Sequence, residues 1–458
     1  MRLLALLLVL VSAVLAGPSC AAGPEPARVR LLTGAVLIDG EGGPPRPGMS
    51  LLIRGDRIEA IFRDGARRPP AGAEVRSLAG RWVIPGLIDS HVHLGTFERD
   101  DRMLHALLRN ALMGGVTLVR DMGGNGERIR PLAEAAEAGR LEAPRIRYAT
   151  LVTGPGSDFW MGEGPGTYVN AGRPRGTAPW FRRVRGPQDA ASAAADARAF
   201  GATALKLHSG LDRATVEALC REARKNGLRV WGHSAIGPVS ASEAVEAGVQ
   251  SLTHGDLMAF EGVPGGPVST GGRPFPPQAL AALDATPVDG PAMGRLLRRM
   301  KARGAMLEPT LYIVAGAVAG AQTDQQKTDY GRRLAYAAAV ARRAHAMGVP
   351  VVAGTDSMGT YSPNIHAELQ LLVSRAGLTP LEAITAATRT AARQLGMEDS
   401  TGTLAAGKRA DLVILTRDPS VDIRNTQAVE AVMIGGRLLT RDGPMRTPPL
   451  AEAPPQAQ

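Results

Sequence analysis

The run WVIPGLIDSHVHL, Trp82 to Leu94, decides the fold. It is apolar, it is punctuated by Pro85-Gly86, and it ends on two imidazoles, His91 and His93. Residues i and i+2 of a β-strand point to the same side. Two imidazoles on one side, at the end of an apolar strand, are good ligands for zinc or a similar metal. A strand opening a doubly wound sheet would instead lead into a glycine-rich phosphate loop. A barrel is therefore the first reading, and an open doubly wound sheet the second.

Downstream, short apolar runs alternate with Ala- and Leu-rich helical stretches. Seven further runs read as strands: TLVRDMG from Thr117, RIRYATLVTG from Arg145, ATALKLH from Ala202, RVWGHS from Arg229, QSLTHG from Gln250, AMLEPTL from Ala305 and VPVVAGTDS from Val349. Eight strands with helices between them predict an α/β fold, a (β/α)8 TIM barrel with insertions, over residues 82–400. Residues 23–81 are β-type runs split by Gly and Pro, and the same rhythm returns in residues 401–443. These two segments predict one small β-sandwich domain formed from both chain ends. Residues 444–458, rich in Pro, Ala and Gln, read as a disordered tail.

Residues 1–22 read as a signal peptide, with Arg2, an apolar run from Leu3 to Leu15, and small residues before a cleavage site near Ala21 or Ala22. Export to the periplasm or the extracellular medium is expected. Gly17, Pro18 and Ser19 make a poor lipobox, so lipid anchoring at Cys20 is not expected. No later run is long and apolar enough for a membrane span in the mature chain.

The 458 residues are 44% hydrophobic and 21% charged, which excludes a fibrous or disordered chain. Two cysteines, Cys20 and Cys220, exclude a disulfide scaffold and a cysteine-based zinc cluster. The net charge of +10 comes from basic residues interleaved with acids, with no nucleic-acid motif beside them. A small-molecule substrate and no nucleic-acid partner are expected.

More candidates end strands. Lys206 lies in ALKLH, His233 ends RVWGH, His254 ends SLTH and Asp356 ends VVAGTD. An ammonium among divalent cations is repelled, so a Lys there must be neutral or converted by CO₂ to a carbamate; Arg stays charged and can do neither. Only five of the 53 basic residues are Lys, and one stands in this apolar strand.

The stretches VIPGLIDSHVHL, TLVRDMGG, ATALKLHSG, AGVQSLTHGD, EPTL, VAGTDS, IHAELQLLVSRAGLTPLEAITAATRTAARQLG and GTLAAGKRADLVIL resemble the amidohydrolase superfamily of metal-dependent hydrolases. They are most similar to its imidazolonepropionase-like, Xaa-Pro dipeptidase-like branch. The resemblance implies two divalent metal ions, zinc being the expected element. His91 and His93 would bind the buried metal, carboxylated Lys206 would bridge both, and His233 and His254 would bind the more exposed one. Asp356 would touch the first metal and act as the catalytic proton shuttle. The family's VHAH motif appears here as GHSA, with Ala235 in place of the second imidazole.

The implied activity is cleavage of a C–N amide bond of a dipeptide or N-acyl amino acid by a metal-bridging hydroxide. A lactonase or cyclic-amide hydrolase, and a non-catalytic binding protein on the same fold, are the alternatives. The family is often homo-oligomeric. Connections 154–186 and 256–290 follow strands and are expected at the barrel mouth. The first carries Phe159, Trp160, Tyr168, Trp180 and Phe181, a pocket wall or a local core, with Arg182, Arg183 and Arg185 offered to a substrate carboxylate. Trp160, Tyr168, His208, Tyr312 and His366 are the candidate substrate contacts. Asp121 is expected to support the first metal ligands, and His105 and His345 to be structural.

Overall fold

The computed structural model describes residues 28–155, 157, 165–263, 277–358 and 363–440. The expected signal peptide, the tail, Phe159 and Trp160 lie outside the described residues.

Five strands come first: β1 (Val29–Leu37), β2 (Arg46–Arg54), β3 (Arg57–Arg63), β4 (Glu74–Ser77) and β5 (Trp82–Pro85). The barrel strands follow: β6 (Leu87–Val92), β7 (Val116–Asp121) and β8 (Arg145–Thr153), then, after a short pair β9 (Thr177–Ala178) and β10 (Phe181–Arg183), β11 (Ala204–Leu207), β12 (Arg229–His233), β13 (Ser251–Thr253) and β14 (Met306–Glu308). The chain ends on β15 (Leu412–Leu415), β16 (Val429–Ile434) and β17 (Arg437–Thr440).

The opening run Trp82–Leu94 is therefore divided. β5 pairs with β1 and β15 in the small sheet, while β6 pairs with β7 in the barrel. Gly86 is the crossing point. A Cβ there would lie 2.1 Å from Thr117 Oγ1, so only glycine lets the chain pass.

β6, β7, β8, β11, β12, β13 and β14 are parallel neighbours in that order. Residues 349–357 take the eighth place. Val352 N–H donates to Leu307 O on β14, and Ser90 N–H donates to Ala353 O from β6. His93 N–H donates to Ser357 O, and Asp356 N–H donates to His91 O. The pairing there is too irregular for a continuous strand, because Asp356 has φ +56° and interrupts the extended backbone.

The helices between strands are amphipathic. In Arg213–Lys225, Asp212 caps the first turn, and Val216, Leu219, Cys220 and Ala223 form the buried stripe at helical spacing. Helix Arg389–Leu395 closes the N-terminal end of the barrel. Its Ala391, Ala392 and Leu395 pack with Ile88, Leu118, Ala149, Ala204, Trp231 and Val352.

The strands expected from both chain ends do meet, in one hydrogen-bonded sheet with its own core of Leu32, Leu51, Ile53, Val83, Leu412, Ile414 and Met433. A buried ion pair, Arg145 with Asp411, ties this sheet to the start of β8. Connection 154–186 carries helix Pro165–Asn170, and Trp180 and Phe181 are buried with Leu151, Val169 and Ala178 as a local core. Arg182 pairs with Asp196, Arg185 pairs with Asp189, and Arg183 donates to Pro155 O. All three guanidiniums have partners within this chain. Among the described residues, no helix is long and apolar enough to cross a membrane.

Candidate metal centre

Strand ends on the C-terminal face bring the predicted residues together. His91 is buried one residue before the end of β6, and His93 follows the strand. Asp356 reaches both: its Oδ1 lies 3.3 Å from His91 Nε2 and 3.1 Å from His93 Nε2. Its Oδ2 lies 3.8 Å from His254 Nδ1. Ligand atoms of His91, His254 and Asp356 lie within 4.8 Å of one another, a three-ligand cluster able to hold a metal ion. The resemblance assigned His254 to a different metal from His91 and Asp356; the structure groups the three.

The remaining ligand candidates, His233 and Lys206, and the candidate substrate contact His208 adjoin this cluster. The His233 ring is 4.6 Å from the His254 ring, and the His208 ring is 4.3 Å from that of His233. Lys206 is buried one residue before the end of β11, and its Nζ donates to Thr253 Oγ1 at 2.6 Å, one residue before His254. Burial pushes the Lys206 amine down to about 7.

Hydrogen bonds set the tautomers. His91 Nδ1–H donates to Glu308 Oε1 at 2.7 Å, and His93 Nδ1–H donates to Gly123 O at 3.0 Å. His233 Nδ1–H donates to Ala235 O at 3.3 Å. Thr310 Oγ1 gives its own proton to Pro309 O, so it accepts from His254 Nδ1 at 3.0 Å. All four rings thereby keep the Nε2 lone pair for a ligand, since the group held by one ring nitrogen decides what the other presents.

This arrangement fits a cation. Among the described residues Asp356 Oδ1 is buried without an aligned hydrogen-bond donor, yet two imidazole nitrogens face it. A buried acceptor without a donor is costly. Burial opposes charge on His93, but Asp356 outweighs it and raises the imidazole. The carboxylate thus calls for positive charge at this point, from a proton or a metal ion. His91 and His254 are held well below the usual imidazole range, by burial first, and burial takes His233 down to about 3. Those three rings stay neutral, as metal ligands must.

The backbone is strained at the same place. Among the described residues, four non-glycine residues have positive φ, and three are His254 (+72°), Thr310 (+51°) and Asp356 (+56°). Strain of this kind persists only where the surroundings enforce it, and it gathers at functional sites. Asp89 supplies part of the enforcement. It accepts from Thr355 N at 3.0 Å, Thr355 Oγ1 at 2.7 Å and His91 N at 3.2 Å, and burial pushes its carboxyl up to about 7. Asp121 accepts from Leu94 N at 2.7 Å and Gly123 N at 3.0 Å, holding the turn whose carbonyl receives His93.

Other candidates stand elsewhere. His366 is fully buried, with Nδ1 on Thr426 Oγ1 and Nε2 on Gly114 O, both at 2.9 Å, so both ring nitrogens are used in packing. Tyr168 O accepts from Asn125 Nδ2 at 2.8 Å, and its phenol neighbours Arg128. Tyr312 lies in the first turn of helix Leu311–Ala319, and its N–H donates to Glu368 at 2.6 Å. His105 is exposed, and His345 contacts Glu382 at 3.1 Å. Glu308, Asp89 and Thr310 were not anticipated. For the two acids the sequence did carry a signal: each is a charge inside an apolar strand run, AMLEPTL and GLIDSHV.

The chain matches the Amidohydrolase family over residues 82–439. It is 40% identical over 111 residues to an imidazolonepropionase of Geobacillus kaustophilus, 23% of this chain and 26% of that protein. It is 28% identical over 393 residues to an imidazolonepropionase of Aromatoleum aromaticum, 82% of this chain and 87% of that protein. Among solved structures it resembles a Xaa-Pro dipeptidase with bound methionine, with TM-score 0.69 and 21% identity over 90% of this chain and 100% of that one. That likeness shows the fold. The match over most of the chain makes the assignment: this protein belongs to the amidohydrolase family.

Proposed function

We propose that this chain is a metal-dependent hydrolase that cleaves the C–N amide bond of a dipeptide or an N-acyl amino acid. The observation that carries the reading is the convergence of His91, His93, His254 and Asp356 at strand ends, with His233 and Lys206 beside them. The dipeptide reading draws on the Xaa-Pro dipeptidase that shares the fold.

His91, His93 and Asp356 would hold one divalent ion, and His233 and His254 a second, with carboxylated Lys206 between them. Zinc suits the imidazole and oxygen ligands. Such ions polarise a carbonyl and lower the pKa of water toward neutrality. The residues do the rest. Burial keeps the His91, His233 and His254 imidazoles neutral, and their Nδ1 hydrogen bonds orient the rings. Asp356 is held below the usual carboxylate range: burial works against this, and the positive charge gathered around it outweighs it. Its carboxylate can therefore take a proton from water at neutral pH and return it to the leaving amine. Export to the periplasm or beyond belongs to the same proposal.

The test is metal analysis followed by a hydrolysis screen of the zinc-loaded protein against dipeptides and N-acyl amino acids. About two zinc ions per chain and turnover of a library member are expected. Two bound ions without turnover would move the substrate to lactones or cyclic amides. No bound metal under any loading condition would sink the reading.

A further inference from the structure

Below the imidazoles the barrel interior carries charge where apolar layers are the rule. Arg120 on β7 and Glu308 on β14 are both fully buried. Glu308 uses both oxygens. Oε1 accepts from His91 Nδ1 at 2.7 Å; Oε2 accepts from Arg120 Nη2 at 2.5 Å and from Gln394 Nε2 at 3.1 Å. The Arg120 guanidinium lies 3.8 Å above the Trp231 ring, which holds it in place from β12. Gln394, on the helix that closes the barrel, also donates to Ser251 Oγ at 2.6 Å. Gly354 leaves the room for this contact: a Cβ there would lie 2.8 Å from Glu308 Cδ and 3.0 Å from His91 Cβ.

We infer that Glu308 and Arg120 are a positioning pair for His91, built to present its Nε2 to a metal ion; this rests on the metal-hydrolase reading above. The chemistry requires a carboxylate. His91 approaches from one side with an N–H, and Arg120 and Gln394 approach from the other with N–H groups. Only a carboxylate accepts on both sides. An amide accepts on one side and puts its NH₂ against donors on the other. A buried ion pair is a poor source of stability compared with apolar packing of similar volume, so its place under a ligand calls for another role. The carboxylate fixes the ring's orientation and tautomer and makes Nε2 a stronger donor, as such partners of metal-bound imidazoles do.

The experiment measures Zn²⁺ affinity by competition with a chelator in wild type, Glu308→Gln, Arg120→Met and the double variant, alongside the thermal midpoint of each metal-free protein. Glu308→Gln is expected to weaken zinc binding by about 10–100-fold. Arg120→Met weakens it less. The double variant recovers much of the loss: the amide NH₂ can then face Gln394, whose Oε1 has no partner among the described residues of the wild type and can be turned toward it. Equal zinc affinity in all four, with only the thermal midpoints changed, would make the pair merely structural and overturn the inference. Additive losses with no recovery would also overturn it. A variant that does not fold leaves a second readout in the wild type. ¹⁵N spectra of the histidine-labelled protein should show His91 protonated at Nδ1 and not at Nε2, and the opposite tautomer refutes the inference. If the wild type itself bound no zinc, the proposed function would fail first.

Discussion

Lys206 offers the sharpest single perturbation. Its amine is buried near the end of β11 and hydrogen-bonded to Thr253 Oγ1 at 2.6 Å, with no carboxylate among its hydrogen-bond partners in the described residues. Burial lowers it to about 7. At pH 8 an ordinary Lys is neutral in roughly 1 molecule of 300, whereas an amine of pKa near 7 is neutral in about nine of ten. The fold therefore raises the fraction able to combine with CO₂ by a factor of roughly 300. Lys206→Arg removes that capacity and leaves a permanent charge; Lys206→Met removes it at similar volume without the charge. Both should lose one zinc ion per chain and on the order of a hundred-fold or more in activity. Lys206→Met should do so with little change in the thermal midpoint of the metal-free protein. The assays are zinc content after loading with and without bicarbonate, and turnover of a substrate found in the screen. Wild type should load better with bicarbonate at pH 8 than at pH 6. Either variant keeping its full zinc content and activity would refute the bridging role.

Two further outcomes follow from the buried charges. Burial pushes the Glu368 carboxyl up to about 8, against the pull of the Leu311 and Tyr312 N–H groups. Between about 4.5 and 8 the unfolded chain has given up this proton and the folded chain has not, so stability falls as pH rises through that window. The thermal midpoint of Glu368→Gln relative to wild type should therefore rise from pH 5 to pH 8; a flat difference would refute the assignment. Asp411→Ala leaves the Arg145 guanidinium buried and uncompensated, and should cost about 3–5 kcal/mol in urea denaturation. Zinc content should be unchanged in the folded fraction, because that pair joins the small sheet to the far end of β8; zinc loss in the folded protein would contradict this.

Much of the architecture was legible because it rests on periodicity. Apolar runs alternating with helical stretches mark a parallel barrel, and the imidazoles at i and i+2 of a strand end mark its mouth. The crossing at Gly86 was not legible: WVIP and LIDSHV are equally apolar, and nothing local says that they enter different sheets. His366 shows the same limit. It follows the eighth strand closely, yet Thr426 and Gly114, 60 and 252 residues away in sequence, take both of its nitrogens. The arginines at 182, 183 and 185 read as a cationic patch until their partners Asp196, Pro155 and Asp189 are known.

The sequence by itself determined the family, the barrel, the two-ended small domain, and which residue types stand at strand ends. Those follow from local pattern, because a strand's side-chain direction repeats every two residues wherever the strand is placed. Only the tertiary structure decided how the ligand atoms group, which nitrogen each imidazole presents, and what stands behind them. His91, His254 and Asp356 meet across 265 residues of chain. The partners that set the tautomers, Glu308, Gly123, Ala235 and Thr310, were unmarked as partners, because a hydrogen bond depends on distance in space and not on spacing in sequence. The run Trp82 to Leu94 holds both kinds of information: its pattern announces the candidate metal site, and its division at Gly86 exists only in the fold.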